Sequence, residues 1–489
     1  MAQCAAMGTH NLRPTPGAIW TALGATLLLL VMAPRYGFHR DELYFIVGGR
    51  NLDWGYVDQP PFTPLIARIS EILAGTSPFA LRVLPALAVG AIALMTSLIA
   101  KRYGGSRRAQ TYAAVSTGLA GVVLGEGHLL STAILDFMFW TAVLLVLVHI
   151  LDGASPRMWL LVGMLVGVGL QNKHTVGFLA LAVLIGMLAT RQRRLLATPW
   201  PWAGVAVAFM IALPNVIWQW NNGFPQLEMA EALRERSDGA LAFVLFQPLL
   251  LSIVLALPAA VGWWRLARSE ELEPWRSLAI AYVVLFVGFM FTGGKAYYVA
   301  PMYSVLLAAG SLWFAGLGKP ASRWMVAATA IGLAVGMVIA LPLLPESAVS
   351  SVDATGELGE TVGWNELVAE VGAVYRSIPP DLRESAVILT GSYGEAGAID
   401  VLGIAAGLPM AISGHNNYYL WGPPDEHGPI IGVGGVGKAL DLVCSDYPQV
   451  GTIGNESNVD NEERGLPLYL CLEPEGQLAD YWEDIRHYN

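Results

Sequence analysis

Apolar runs of helical length, separated by short polar links, fill the chain up to about residue 345. A membrane-crossing helix needs about 20 mostly apolar residues. Runs of that kind occur at 17–33, 79–100, 110–126, 129–150, 157–171, 175–190, 201–220, 241–263, 277–292, 296–316 and 323–344. The pattern predicts about eleven spans, the shortest at 110–126, 157–171 and 277–292. The stretch 62–75 is too short and too polar to cross. Its Phe62, Leu65, Ile66, Ile69, Ile72 and Leu73 lie on one side of a helix, as in an amphipathic helix resting in the interface. Beyond 345 the pattern changes. Helical spacing at 364–378, 394–407 and 437–446 alternates with short strand-forming runs at 386–392, 408–413, 428–434, 449–453 and 468–473. That alternation predicts a small, mostly parallel α/β sheet.

Charge divides the chain at the same point. Residues 1–344 hold 23 Lys and Arg against 15 Asp and Glu, whereas 345–489 hold 5 against 23. Only 13% of all residues are charged and the mean hydropathy is +0.52, against roughly 25% charged in soluble domains. The expected organisation is a polytopic membrane domain (1–345) followed by an acidic, water-soluble α/β domain (346–489). An acidic soluble part without a basic cluster excludes nucleic acid as a partner.

The basic loops 101–108, 191–194, 263–276 and 318–323 alternate with loops poorer in Lys and Arg. Basic loops stay in the cytoplasm. This places the N-terminus inside, and the loops 34–78, 221–240 and 292–298 outside. An odd number of spans then leaves the α/β domain extracytoplasmic, at the plasma (inner) membrane of a bacterial cell. Cys444 and Cys471 fall together in that domain, where a disulfide and two free thiols are both open.

Ionisable groups at membrane depth are costly and face a cavity or a partner. Here they recur on the outer side: Arg40, Asp41, Glu42 and Asp58 in the first loop, then His128, Asp136, Lys173, and Lys295 with Tyr297 and Tyr298. His128 and Asp136 are spaced to share a helix face. The recurrence points to an outward-facing crater. A carboxylate there can take a proton from a hydroxyl nucleophile, and Lys or Arg can neutralise a phosphate leaving group. Such a set suits sugar transfer from a polyprenyl phosphate to a hydroxyl acceptor. Each residue also has a structural reading. Asp41 and Glu42 fit a helix N-terminus, Asp58 a turn before Pro60-Pro61, His128 and Asp136 an interhelical polar pair, and the lysines interfacial snorkelling. A divalent metal on Glu42, Asp58 or His128 is a candidate, without a definite ligand set. No other cofactor is indicated.

The segment "HRDELYF…GYVDQPP" resembles the first outer loop of GT-C class integral-membrane glycosyltransferases. It is most similar to family 39, which includes protein O-mannosyltransferases and aminoarabinose transferases. Those enzymes carry an Arg-Asp-Glu-like element after the first helix and an Asp-His/Gln-Pro-Pro element before an interfacial helix. Asp41-Glu42 and Asp58-Gln59-Pro60-Pro61 match these elements. The resemblance covers roughly residues 17–320. It implies inverting transfer from a polyprenyl-phosphate sugar, with Asp41 as base, Glu42 and Asp58 shaping the site, and Lys173 and Lys295 holding the lipid phosphate. The tail resembles the outer domain of actinobacterial family-39-like proteins through "TVGWNELVAEVGAVYRSIPP", "SYGEAGAID" and "SGHNNYYLWGPP". The acceptor that the family resemblance implies is a cell-envelope glycan, lipid or protein. A transporter or lipid flippase with an accessory domain is the competing reading.

Overall fold

The computed structural model describes residues 13–237, 239–353, 356–423 and 428–488. Every predicted span falls on helix. α1 (Pro16–Met32) starts where Thr15 accepts the Ala18 N–H and Pro16 supplies a first residue with no donor to satisfy. The predicted loop 34–78 contains two helices, α2 (Arg40–Arg50) and α3 (Phe62–Ala74). α2 has no broad apolar stripe to announce it. It is nucleated by a capping box: His39 Nδ1 accepts the Asp41 N–H, and the Glu42 carboxylate accepts the His39 N–H. α3 leaves Leu65, Ile69, Ile72 and Leu73 exposed while Phe62 and Ile66 turn inward, as expected of an interfacial helix.

α4 (Pro78–Arg102) is an unbroken span capped by Ser77. The predicted span 110–126 is broken into α5 (Arg107–Gly118) and α6 (Gly121–Gly127) by an extended residue at Ala120. α7 (Thr132–Leu151), α8 (Met158–Leu170), α9 (Thr175–Leu188) and α10 (Pro199–Asn221) follow, then the short polar α11 (Pro225–Glu235). The predicted span 241–263 is broken as well, into α12 (Gly239–Leu250) and α13 (Ala256–Arg268). There Ser252 and Ile253 turn left-handed, at φ 50° and 59°. The two breaks meet, because Ser252 Oγ accepts the Gly121 N–H at 3.1 Å. α14 (Arg276–Thr292), α15 (Tyr303–Gly316) and α16 (Lys319–Ala340) complete the helical part.

Six helical stretches among the described residues are long and apolar enough to cross a bilayer, or seven if the bend after α9 continues one span. The number falls below eleven because two runs are broken and α1 and α8 are only 17 and 13 residues long. α13 and α15 approach backbone to backbone. A Cβ on Gly262 would stand 1.9 Å from the Leu306 carbonyl oxygen, the small-residue contact that lipid-embedded helices use. Trp202, Phe209, Met210, Phe291, Trp324 and Ile331 stay exposed on α10, α14 and α16, and a surface of that kind belongs in lipid rather than water.

The C-terminal part builds α17 (Trp364–Ser377), α18 (Pro380–Arg383), β1 (Val387–Thr390), α19 (Tyr393–Leu402), β2 (Ala411–Ser413), α20 (Asn417–Trp421), β3 (Ile430–Val433), α21 (Gly437–Val443), β4 (Gln449–Thr452) and β5 (Pro467–Cys471). The strand order is β2-β1-β3-β5-β4. β2, β1 and β3 are parallel, with Ile388 opposite Ala411 and Ile431, whereas β5 runs antiparallel to both β3 and β4. The sheet is therefore mixed rather than mostly parallel. No helix separates β4 from β5, and without a crossover the returning strand must reverse. Strand alternation sends Ile388, Ile431 and Val433 to one face, towards α17 and α19. Val387, Leu389 and Ile430 face α21 on the other. Cys444 and Cys471 are disulfide-bonded, tying the end of α21 to β5.

Candidate active site

α2 advances about 100° per residue, so its first three residues diverge. Glu42 points into the protein and is fully buried, against Arg82 of α4, which is 1% exposed. Its Oε1 accepts Arg82 Nε and the Leu130 N–H, both at 2.9 Å. Its Oε2 accepts Arg82 Nη2 at 2.7 Å and the His39 N–H at 2.9 Å. Four donors fill the acceptor sites of the carboxylate. Arg82 spends its remaining N–H groups on the carbonyls of Ala33, Arg35 and Gly37. The pair fastens the α1–α2 link and the α6–α7 link to α4. Glu42 is thus a saturated anchor and not an open metal ligand.

Asp41 points the other way. Its side chain keeps 40% of its surface open, although Tyr393 of α19 donates its hydroxyl to Oδ1 at 2.8 Å. Burial pushes its pKa up, but the neighbouring His39 and Arg40, the Tyr393 hydroxyl and Lys295 outweigh that, and the net shift is downward. At neutral pH Asp41 is an ionised carboxylate, partly open, at the electropositive start of a helix.

Asp58 lies beside it, its Oδ1 accepting the Tyr44 hydroxyl at 2.9 Å. Burial lifts its pKa to about 7, the Tyr44 bond opposing and the Asp41 charge adding to the rise. The two carboxylates thus differ: one stays ionised, the other is poised near neutrality.

Arg40 turns to the C-terminal part, where Nη1 meets Glu462 at 2.5 Å and Glu360 at 3.5 Å. It stays 3.9 Å from Asp41 and lies over the Tyr393 ring. His39 Nε2 reaches Glu357 at 3.3 Å.

Lys173, in the α8–α9 link, sits over the rings of Tyr297 and Tyr298, 5.1 and 4.8 Å from their centroids. Its charge is felt by Asp136, Glu126 and Asp41. Asp136 is buried and accepts Thr175 Oγ1 at 2.6 Å and Trp140 Nε1 at 3.0 Å. A small hollow is lined by Glu126, Asp136, Tyr297 and Tyr298. Lys295, exposed just before the turn that carries these tyrosines, is electrostatically coupled to Asp41, Glu126 and Glu357.

His128 departs from the expectation. α7 begins after the Ser131 cap, so His128 belongs to the end of α6 and does not share a helix face with Asp136. It is buried, with Nδ1 on the Gly125 carbonyl at 2.8 Å. Nor do Glu42, Asp58 and His128 form a ligand set: among the described residues no three His, Cys, Asp or Glu side chains converge as a metal-holding group.

Five residues of the site were not singled out by the sequence. Arg82 and Glu126 are charged groups inside apolar runs, a signal that was present. Tyr44 lies on the unanticipated α2. Tyr393 and Glu357 arrive from the C-terminal part, and nothing local marks them. Within "SGHNNYYLWGPP", Asn417 and Tyr418 serve as a clamp. Asn417 Oδ1 accepts the Val57 N–H, the Asn417 N–H donates to the Tyr44 hydroxyl, and Tyr418 bonds Asp400. The glycine-rich turn 432–439 leads from β3 into α21, and a Cβ on Gly434 would stand 2.6 Å from Glu395 Oε1, so a carboxylate borders that turn.

The sequence profile of the dolichyl-phosphate-mannose-protein mannosyltransferase family matches residues 58–218. Lipid A galacturonosyltransferase RgtD of Rhizobium johnstonii is 30% identical over 199 residues, which are 40% of this chain and 42% of that protein. The match thus spans less than half the length of that relative. ArnT from Cupriavidus metallidurans, solved bound to undecaprenyl phosphate, superposes with a TM-score of 0.62 at 16% identity, covering 93% of this chain and 98% of that one. Arabinofuranosyltransferase AftD from Mycobacteria gives a TM-score of 0.51 at 13% identity, over 93% of this chain and 41% of that one. Identities this low speak for fold alone. The superpositions show that this protein has the fold of those membrane glycosyltransferases, and the family profile takes in the Asp58 element.

Proposed function

We propose that this protein transfers a sugar from a polyprenyl phosphate to a hydroxyl acceptor of the cell envelope, on the outer face of the membrane. The reading rests above all on one juxtaposition. An ionised, half-open carboxylate, Asp41, lies within electrostatic reach of the cations Lys173 and Lys295. The acceptor oxygen attacks the anomeric carbon and gives its proton to Asp41. The bond from that carbon to the phosphate oxygen breaks, and the polyprenyl phosphate leaves as an anion toward the lysines. A single displacement of this kind inverts the anomeric centre. Asp58, held by Tyr44, is the second carboxylate of the site, and Tyr297 and Tyr298 wall the cationic side. Glu42 acts by holding α2 in place.

A lipid-linked donor suits the surroundings. ArnT has been solved with undecaprenyl phosphate. Here an apolar cavity of about 230 Å³ lies among α7, α8, α9 and α10, lined by residues such as Trp159, Val166, Leu179 and Trp202. Its upper rim, Val166 and Leu179, is one turn from the helix ends that flank Lys173. An isoprenoid chain descending from a phosphate at Lys173 fits that path. The basic loops argue for a hollow facing outward, and the Cys444–Cys471 disulfide suits an oxidising compartment for residues 346–489.

The test is a deletion strain of the source organism, with its envelope glycans and lipids compared with the parent by mass spectrometry. One glycosyl substituent is expected to vanish and to return with the intact chain. The Asp41→Asn chain should reach the membrane in normal amount and fail to restore it. Full restoration by Asp41→Asn would overturn the assignment of the base.

A further inference from the structure

The surroundings of Asp41 are not completed by the membrane helices alone. Asp41 Oδ1 receives its hydroxyl donor from Tyr393, 352 residues away on α19. The ring of Tyr393 is fixed on both sides, 4.8 Å from the Tyr44 ring and 4.8 Å from the His415 imidazole. Tyr44 in turn holds Asp58. α19 reaches this position because glycines face α2: a Cβ on Gly397 would come within 3.1 Å of Leu43 Cβ, and one on Gly394 within 2.4 Å of Arg40 Cγ. The Ser392–Glu395 capping box sets the start of α19, so that Tyr393 is its first residue.

From this geometry we propose that Tyr393 is a positioning residue for the Asp41 carboxylate, and that residues 346–489 therefore contribute directly to the active centre. Tethering one oxygen restricts rotation of the carboxylate, so the second oxygen keeps a narrower range of directions. Tyr393 does this from a ring that cannot rotate away without displacing Tyr44 and His415. The hydroxyl also favours the ionised form of Asp41. The other groups that bear on Asp41 are His39 and Arg40 on its own helix segment and the cations Lys173 and Lys295. Asp58, Glu357 and Tyr297 complete its surroundings. Only Tyr393 among them is hydrogen-bonded to the Asp41 carboxylate.

The inference rests on Asp41 being the base, and the experiment keeps the two apart. Carbodiimide labels protonated carboxyl groups, so the pH dependence of Asp41 labelling in the full-length protein in lipid nanodiscs, read by peptide mass spectrometry, follows its ionisation without any substrate. Tyr393→Phe keeps the ring and removes the donor. Its labelling midpoint should rise by about one pH unit, and restoration of the missing glycosyl substituent in the deletion strain should fall about tenfold or more. Tyr418→Phe removes a similar bond, to Asp400 in the same aromatic cluster, and should leave the Asp41 midpoint in place. An unmoved midpoint in Tyr393→Phe overturns the proposal, as does a moved midpoint with undiminished restoration. Loss of activity in Asp41→Asn alongside an unmoved midpoint would leave the proposed function standing and remove only this role of Tyr393.

Discussion

Replacing Glu42 by Gln tests whether the buried member of the Asp41-Glu42 pair is an anchor or a participant in chemistry. All four partners of the Glu42 carboxylate are N–H donors: Arg82 Nε and Nη2, and the backbones of Leu130 and His39. A glutamine amide turned either way puts its NH2 against two of those donors. It also leaves the Arg82 guanidinium, 1% exposed, without a counter-charge. Removing one partner of a buried ion pair costs about 3–5 kcal/mol, a large share of the roughly 5–15 kcal/mol that holds a typical domain together. The expected outcome is a protein that reaches the membrane in low amount and loses monodispersity in detergent at a clearly lower temperature than the parent. Glu42→Gln combined with Arg82→Met removes both charges. Its loss should be smaller than the sum of the two single losses by about 1–3 kcal/mol. Thermal challenge followed by size-exclusion chromatography measures all four proteins. A Glu42→Gln protein as heat-resistant as the parent, yet inactive in restoring the envelope sugar, would refute the reasoning and return Glu42 to the chemistry.

Asp58 is expected to cost stability. Its pKa of about 7 lies above its ordinary value of 3.8, so between those values the folded chain holds a proton that the unfolded chain has released. Stability then falls as pH rises through that window. Asp58→Asn should raise the melting temperature relative to the parent at pH 8 and not at pH 4, and equal effects at both would contradict the shift. Lys173→Met should weaken binding of undecaprenyl phosphate, measured by native mass spectrometry, while Arg157→Met at the far end of α8 should not. Cys444 and Cys471 are separated by 27 positions, a loop whose closure is worth about 3–4 kcal/mol. The Cys444→Ser, Cys471→Ser protein should show earlier proteolysis of the C-terminal part, with the helical part retained.

What the linear order of residues determined here is local in origin. Apolar runs specify helices because each residue's surroundings in a span are set by its immediate neighbours and by lipid. Caps such as Thr15 and Ser77 fix their starts in the same local way. The strands of the acidic part were legible for a similar reason, as was the concentration of ionisable groups in "HRDELYF…GYVDQPP". The direction each of those groups takes was decided only in three dimensions. Adjacent residues on a helix diverge by about 100°, so Asp41 and Glu42 read alike and do opposite things. One keeps 40% of its side-chain surface open, and the other is consumed by Arg82, 40 residues on. Tyr393 meets Asp41 across 352 residues, and β5 reverses a sheet whose pattern suggested parallel strands. The breaks at Ala120 and Ser252 belong to the same class, since they meet each other. Pairings of this kind are selected by which surfaces fit once the helices pack, and no spacing within a single segment encodes them.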